Sequence, residues 1–212
     1  MPNNIKGIVF DIDSTLYTNE EYTEHQHKTQ INRLAQELNQ QAETVEERIR
    51  AFRESYKASN NGKSISLGNV FIHFGVPITK SVKWRKQYVE PERFLSRDGK
   101  LVETIKQLYN NFSLICVTNN PTDIGRRTLD CLGISEFFPH VVGLDILYLS
   151  KPDVRIWTHA AELLRLQYHR IVSIGDRYAV DVEYPLKMGM GGVVVDSVKD
   201  VYRLPEVLPG LR

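Results

Sequence analysis

The sequence has little of what would take it out of the ordinary soluble globular class. Cysteine occurs only twice in 212 residues, too few for a disulfide scaffold. Cys116 falls within an apolar strand run and Cys131 on an apolar helix face, which fits packed, reduced thiols in a cytoplasmic protein; a disulfide between them is the alternative. No run approaches the ~20 apolar residues of a membrane helix, and the opening, MPNNIKG, lacks the apolar segment of a signal peptide. No membrane role is therefore expected. Charge of one sign is not in excess: 27 Lys and Arg against 26 Asp and Glu give a net charge of +1. No dense basic run occurs either, so no nucleic-acid footprint is visible. Internal repeats and low-complexity segments are missing too. What is present, 42% hydrophobic and 25% charged residues, suits one α/β domain with a sizeable core and a small accessory module.

The stretch that organises the chain is residues 5–17, IKGIVFDIDSTLY. The apolar run Ile8, Val9, Phe10 stops abruptly at Asp11, Ile12, Asp13, the pattern of a buried parallel strand that delivers carboxylates to its C-terminal edge. Two acids so close repel each other unless a cation lies between them or they divide nucleophile and proton-donor roles. An N-cap and turn after a core strand is the alternative. The design recurs: LICVTN at 114–119 ends in a hydroxyl, SKPD at 150–153 sets a lysine beside a proline, and IVSIGDRYAVD at 171–181 ends in Gly175 and Asp176 with Asp181 five residues on.

Between these stretches the periodicity changes. Ile31, Leu34, Ala35 and Leu38, then Val45, Ile49, Phe52 and Tyr56, have helical spacing. SNNGKS at 59–64 reads as a loop, and 70–74 and 80–88 as further short helices. Residues 18–94 thus form an all-helical insert, too long for a plain strand-to-helix connection. Asp98 and Gly99 open a helix with Leu101, Val102, Ile105 and Leu108 on one face. Strand 112–118, a helix through Leu132 ended by Gly133, strand 141–144, a helix over 152–166 with Pro152 in its first turn, strand 170–174, a short helix near 182–188 and strand 192–195 follow; residues 198–212 close the chain as a helix and tail. Such alternation implies parallel strands joined by right-handed crossovers.

In their order, the four stretches resemble the four signature motifs of the haloacid dehalogenase (HAD) superfamily, from Asp11 to Asp181. The resemblance implies a Rossmann-like α/β fold, a parallel five-stranded sheet of order 5-4-1-2-3 with helices on both faces. Residues 1–17 and 95–212 would be the core domain and 18–94 a helical C1 cap. It also implies a Mg2+-dependent phosphatase acting on a small phosphorylated metabolite. DIDSTLY, KPDVRIW and GDRYAVD are most similar to the phosphoglycolate phosphatase and pyrimidine nucleotidase branch. Neither the natural substrate nor the oligomeric state is legible.

Under this resemblance Asp11 is the nucleophile, able to attack phosphorus and form an aspartyl phosphate. Asp13 protonates the leaving alcohol and later deprotonates water; the dehalogenases of the family have no acid there. The Mg2+ ligands would be the Asp11 carboxylate, the Asp13 carbonyl and Asp176, with Asp181 acting through water or by orienting the others. Asp176 as a turn acid, and Asp181 as a helix-start acid favoured by the dipole, remain alternatives. The Thr118 hydroxyl and the Asn119 N–H would bind phosphate oxygens, and Lys151 would neutralise phosphate and steady Asp11. Arg177 is either a substrate contact or the partner of a nearby acid, and Lys63 a substrate contact or a solvated turn lysine. Trp84, Arg85 and Lys86 read as a solvated cap face. Rival readings are a sugar-phosphate mutase, a 2-haloacid dehalogenase, disfavoured by Asp13, and a catalytically silent binding protein.

Overall fold

Gly7–Phe10 (β1) is buried along its whole length, as a strand covered on both faces must be. Its side chains alternate: Ile8 and Phe10 join one apolar cluster and Val9 the other. The computed structural model describes residues 4–62 and 64–208; Lys63 and the residues of the expected tail beyond 208 lie outside the described residues. Among the described residues, β1 pairs in parallel with β2 (Ser113–Val117) and β4 (Ile171–Gly175), flanked by β3 (His140–Val142) and β5 (Gly191–Val194) in the order β3-β2-β1-β4-β5. This is the expected order read from the opposite edge.

The chain leaves the sheet after β1 for the helices α1 (Glu20–Leu38), α2 (Ala42–Ser59), α3 (Leu67–His73) and α4 (Ile78–Tyr88). They bury a separate apolar cluster of their own, with Leu34, Val45, Val70 and Phe71 fully enclosed. The amphipathic stripes legible in the sequence therefore face each other. Asn19 fixes the junction: its side-chain oxygen accepts from the Tyr22 N–H at 2.8 Å, capping α1, while its Nδ2 donates to the Phe94 carbonyl at 2.9 Å. The outgoing and returning strands of chain are thereby tied together.

The return leads into α5 (Gly99–Tyr109), capped by Asp98, whose side chain accepts from the Leu101 N–H. With α6 (Thr122–Leu132), α10 (Val198–Val201) and α11 (Leu204–Val207) it covers the Phe10 face, whereas α8 (Val154–Leu164) and α9 (Glu183–Lys187) cover the Val9 face. A fully buried Phe, Ile or Val side chain contributes roughly 1.5–3 kcal/mol, so the central strand is held from both sides. No helix among the described residues is long and apolar enough to cross a membrane.

Several boundaries differ from expectation, each for a local reason. The third strand stops at Val142, because the Leu144 N–H bonds the Asn120 carbonyl at 2.8 Å and opens α7 (Leu144–Leu147) instead of extending the ladder. Pro152 precedes α8 rather than sitting in its first turn: Asp153 is the cap, accepting from the Arg155 N–H. That helix ends at Leu164, with Arg165 in the left-handed region. The single helix expected near 182–188 is a wide π-helical turn, Tyr178–Val182, running into α9. The closing helix is split into α10 and α11.

Candidate active site

The ends of β1 and β4 and the segment before α8 bring four charged side chains together, Asp11, Asp176, Asp181 and Lys151. Phe10 is in register with Cys116 and Ile174, so Asp11 is the first residue past the ladder, and its N–H donates to the Ile174 carbonyl at 2.8 Å. Lys151, 1% exposed, reaches in from the segment before α8. Its Nζ donates to Asp11 Oδ1 and Asp181 Oδ1, each at 2.6 Å, and to the Val117 carbonyl at 3.0 Å. An ammonium donates three hydrogen bonds, and all three are made. The long side chain could not lie this deep without the acids, since burying an unpaired charge costs several kcal/mol.

Asp181 takes up its place because the π-helical turn directs it inward and Gly175 leaves room. A Cβ on Gly175 would lie 2.4 Å from Asp181 Cβ, a distance no real contact allows. The other Asp181 oxygen accepts from the Arg177 N–H at 3.1 Å. Asp11, Asp176 and Asp181 each offer a carboxylate oxygen within 4.8 Å of the others, a hard-oxygen donor set that suits Mg2+. Asp181 is fully buried and bonded to Lys151, whereas the half-buried Asp176 lines the cleft.

These acids perturb one another. Burial, with Asp181 adding its repulsion and Lys151 opposing, pushes Asp11 from 3.8 up to about 8 in the metal-free protein. Burial likewise raises Asp176, against the attraction of Arg177. Lys151 is pulled down by burial but driven up further by Asp11 and Asp181, so its ammonium is retained. For Asp11 the linkage runs in one direction. An acid with a raised folded pKa binds more proton folded than unfolded, so its stabilising effect is full below about pH 4 and is lost as pH rises towards 8. Denaturant titrations in EDTA should therefore show wild type losing at least about 1.4 kcal/mol, one pKa unit's worth, relative to Asp11→Asn between pH 5 and pH 8. Parallel curves for the two proteins would show that Asp11 does not titrate there.

Asp13 stands opposite, ringed by donors. Tyr17 Oη at 2.7 Å and Gln26 Nε2 at 3.0 Å reach its Oδ1, Thr118 Oγ1 reaches Oδ2 at 3.2 Å, and Asn120 Nδ2 spans both oxygens at 3.2 and 3.0 Å. The Thr118 hydroxyl also accepts from the Asn120 N–H at 3.0 Å, which places this residue at the rim beside Asp13. Asn119 ties two further segments to the rim: its side-chain oxygen accepts from the Lys151 N–H at 2.7 Å, and its carbonyl accepts from Arg85 Nη1.

Above this rim lies a cleft of about 350 Å³, walled by α1, α2, α4 and the segment leading into α3. Arg85 corrects the expectation of a solvated Trp84–Lys86 face: it is buried, lines the cleft and bonds the loop after β2. Its neighbours turn elsewhere, Trp84 to Phe71 and Lys86 to Asp145. Burial lowers Arg85 to about 10, against the pull of Asp13, so it remains cationic at neutral pH. Arg177 both lines the cleft and pairs with Asp176 at 3.4 Å. Gln26, Asn120, Tyr17 and Arg85 are site residues that the motifs did not reveal; Arg53, from α2, lines the cleft wall. Tyr22, Gln26 and Gln30, four apart on α1, are buried, and amides on a buried helix face need polar partners.

Residues 5–189 match the family model of the haloacid dehalogenase-like hydrolases. Glyceraldehyde 3-phosphate phosphatase of Methanothermobacter thermautotrophicus is 26% identical over 204 residues, covering 91% of this chain and 86% of the relative. A 5-amino-6-(5-phospho-D-ribitylamino)uracil phosphatase of Escherichia coli is 24% identical, over 88% and 81% respectively. Among solved structures, a HAD phosphatase from Thermococcus onnurineus shares the fold with a TM-score of 0.67 at 21% identity, over 98% of this chain and 100% of that one. A 2-haloacid dehalogenase from Pseudomonas syringae shares it with a TM-score of 0.59 at 16% identity, over 96% and 97%.

Proposed function

Because the chain belongs to the haloacid dehalogenase-like hydrolases, we propose that it is a Mg2+-dependent phosphatase that hydrolyses a small phosphorylated metabolite through an aspartyl phosphate on Asp11. The observation that carries the reading is the contact of Lys151 Nζ with Asp11 and Asp181 at 2.6 Å each, at a rim where Asp176 completes a three-carboxylate cluster. Bound to that cluster and the Asp13 carbonyl, Mg2+ would offset the repulsion between carboxylate and phosphate.

In the chemistry that follows, an Asp11 oxygen forms a bond to phosphorus as the bond to the leaving alcohol's oxygen breaks, and Asp13 gives that oxygen its proton. Water then attacks the aspartyl phosphate, Asp13 takes the proton back, and phosphate leaves with Asp11 restored. Tyr17, Gln26 and Asn120 hold Asp13 at the cleft; Lys151 fixes the Asp11 carboxyl plane. Residues 18–94 act as the cap domain over a core of residues 1–17 and 95–212, excluding water on closure. Gln26 and Arg85 are the points where cap helices meet Asp13 and the Asn119 loop. The free Cys116 and Cys131 support a cytoplasmic placement.

A phosphomonoester panel tests the reading. Phosphate release should appear with Mg2+, vanish in EDTA and return when Mg2+ is restored; in labelled water the label should enter phosphate, as a mutase would not allow. Halide release from a 2-haloacid without phosphate release, or inactivity across the panel, would contradict it.

A further inference from the structure

The cleft wall that the helices provide carries more positive charge than its neighbours satisfy. Arg53 projects from α2 as part of that wall, and among the described residues its buried Nε has no hydrogen-bond partner. Burial and the nearby Arg177 guanidinium both disfavour its charge. Arg85, lining the same cleft, likewise has a buried Nε without a partner among the described residues, and it donates to the neutral Asn119 carbonyl. A guanidinium left this way at a cleft wall forgoes the strong, often bidentate bonds it makes with carboxylate or phosphate. Two such groups, with Arg177 from the sheet side, converge on space sized for a small molecule. The transferring phosphoryl group already has Lys151 and the acid cluster as its surroundings, so these arginines face the remainder of the substrate.

We propose that Arg53, supported by Arg177 and Arg85, receives a second anionic group carried on the leaving alcohol, so that the preferred substrates are phosphomonoesters bearing an additional carboxylate or phosphate. The inference rests on the phosphatase reading only for where the phosphoryl group lies. It names a preference that relatives described as acting on glyceraldehyde 3-phosphate, whose leaving group is uncharged, do not supply.

The test is equilibrium binding of non-hydrolysable probes in Mg2+ buffer, measured by calorimetry: 3-phosphonopropionate and 1,3-propylenediphosphonate against propylphosphonate, and 4-phosphonobutyrate against butylphosphonate. Wild type should bind the doubly anionic probes about ten- to hundredfold more tightly than their alkyl counterparts, the range expected of a charge-assisted Arg contact. Arg53→Gln should remove most of that difference while changing the alkylphosphonate affinity less than about threefold, and Arg53→Lys should restore part of it, because charge returns without the fork. Unaltered melting of the variants distinguishes this from a folding defect. Equal affinity for both probe classes in wild type, no binding of any probe, or a preference that survives in Arg53→Gln would overturn the proposal. If the preference appears but no phosphoester is hydrolysed, the subsite stands and the phosphatase reading falls.

Discussion

Asp11→Asn is expected to give a folded protein whose Mg2+-dependent phosphate release is lowered by at least about 10⁴-fold, the scale seen when a covalent nucleophile is removed. An amide is nearly isosteric with the carboxylate but is a poor nucleophile and a weaker ligand for a hard cation. Folding should survive because the change relieves a strain. Asp11 and Asp181 share one ammonium, and Asp11 is driven up to about 8 chiefly by burial. Neutralising it leaves Lys151 a full partner in Asp181. The variant should accordingly melt no lower than wild type in EDTA. Activity near the wild-type level would remove Asp11 from the chemistry.

Lys151→Met should act in the opposite way, on stability as well as activity. Met fills much of the volume of the lysine stem, so packing is largely kept while two buried carboxylates lose their cation. Breaking a buried ion pair from one side costs about 3–5 kcal/mol, and here two acids depend on the same amine. The loss should show as a lower denaturation midpoint in EDTA at pH 8 and should shrink at lower pH as Asp11 takes up a proton. Mg2+ should recover part of it, since a divalent ion in the cluster replaces some of the missing positive charge. In a double-mutant cycle with Asp11→Asn the two effects should be strongly non-additive. A Lys151→Met protein as stable as wild type at pH 8 would mean that the ammonium does not hold the cluster together.

Why some of this was legible before any coordinates follows from where information sits in the chain. Asp11, Asp176 and Lys151 each sit where an apolar run or a helix start makes an acid or an amine conspicuous, and the sheet edge then brings them together. The strand order rests on the resemblance to the family, because apolar runs with polar ends mark β1, β2 and β4 as strands but do not say which of them pair. Asp13's surroundings could not be read the same way. Gln26 lies in a helix of amides and charges where nothing local separates a buried amide from a solvated one, and only the packing of α1 over the sheet rim brings it 3.0 Å from Asp13. Asn120 carries no local mark that sets it apart from Asn119 in TNNP, and only the folded loop brings its side chain to Asp13. Arg85 sits in a run that looks solvent-facing until α4 is laid against the loop after β2. Short-range boundary errors have the same origin, since the end of β3 is set by the Leu144 N–H bonding Asn120, a contact between separate segments.

Covalent capture of phosphate examines the nucleophile itself. Wild type mixed with a ³²P-labelled phosphoester that the panel shows to be a substrate, then quenched in acid within milliseconds, should carry hydroxylamine-labile label on the peptide containing Asp11, in amounts approaching the enzyme present, and Asp11→Asn should carry none. Phosphate released at the wild-type rate with no labelled peptide, or label on any other residue, would contradict a mechanism in which the first carboxylate past β1 attacks phosphorus.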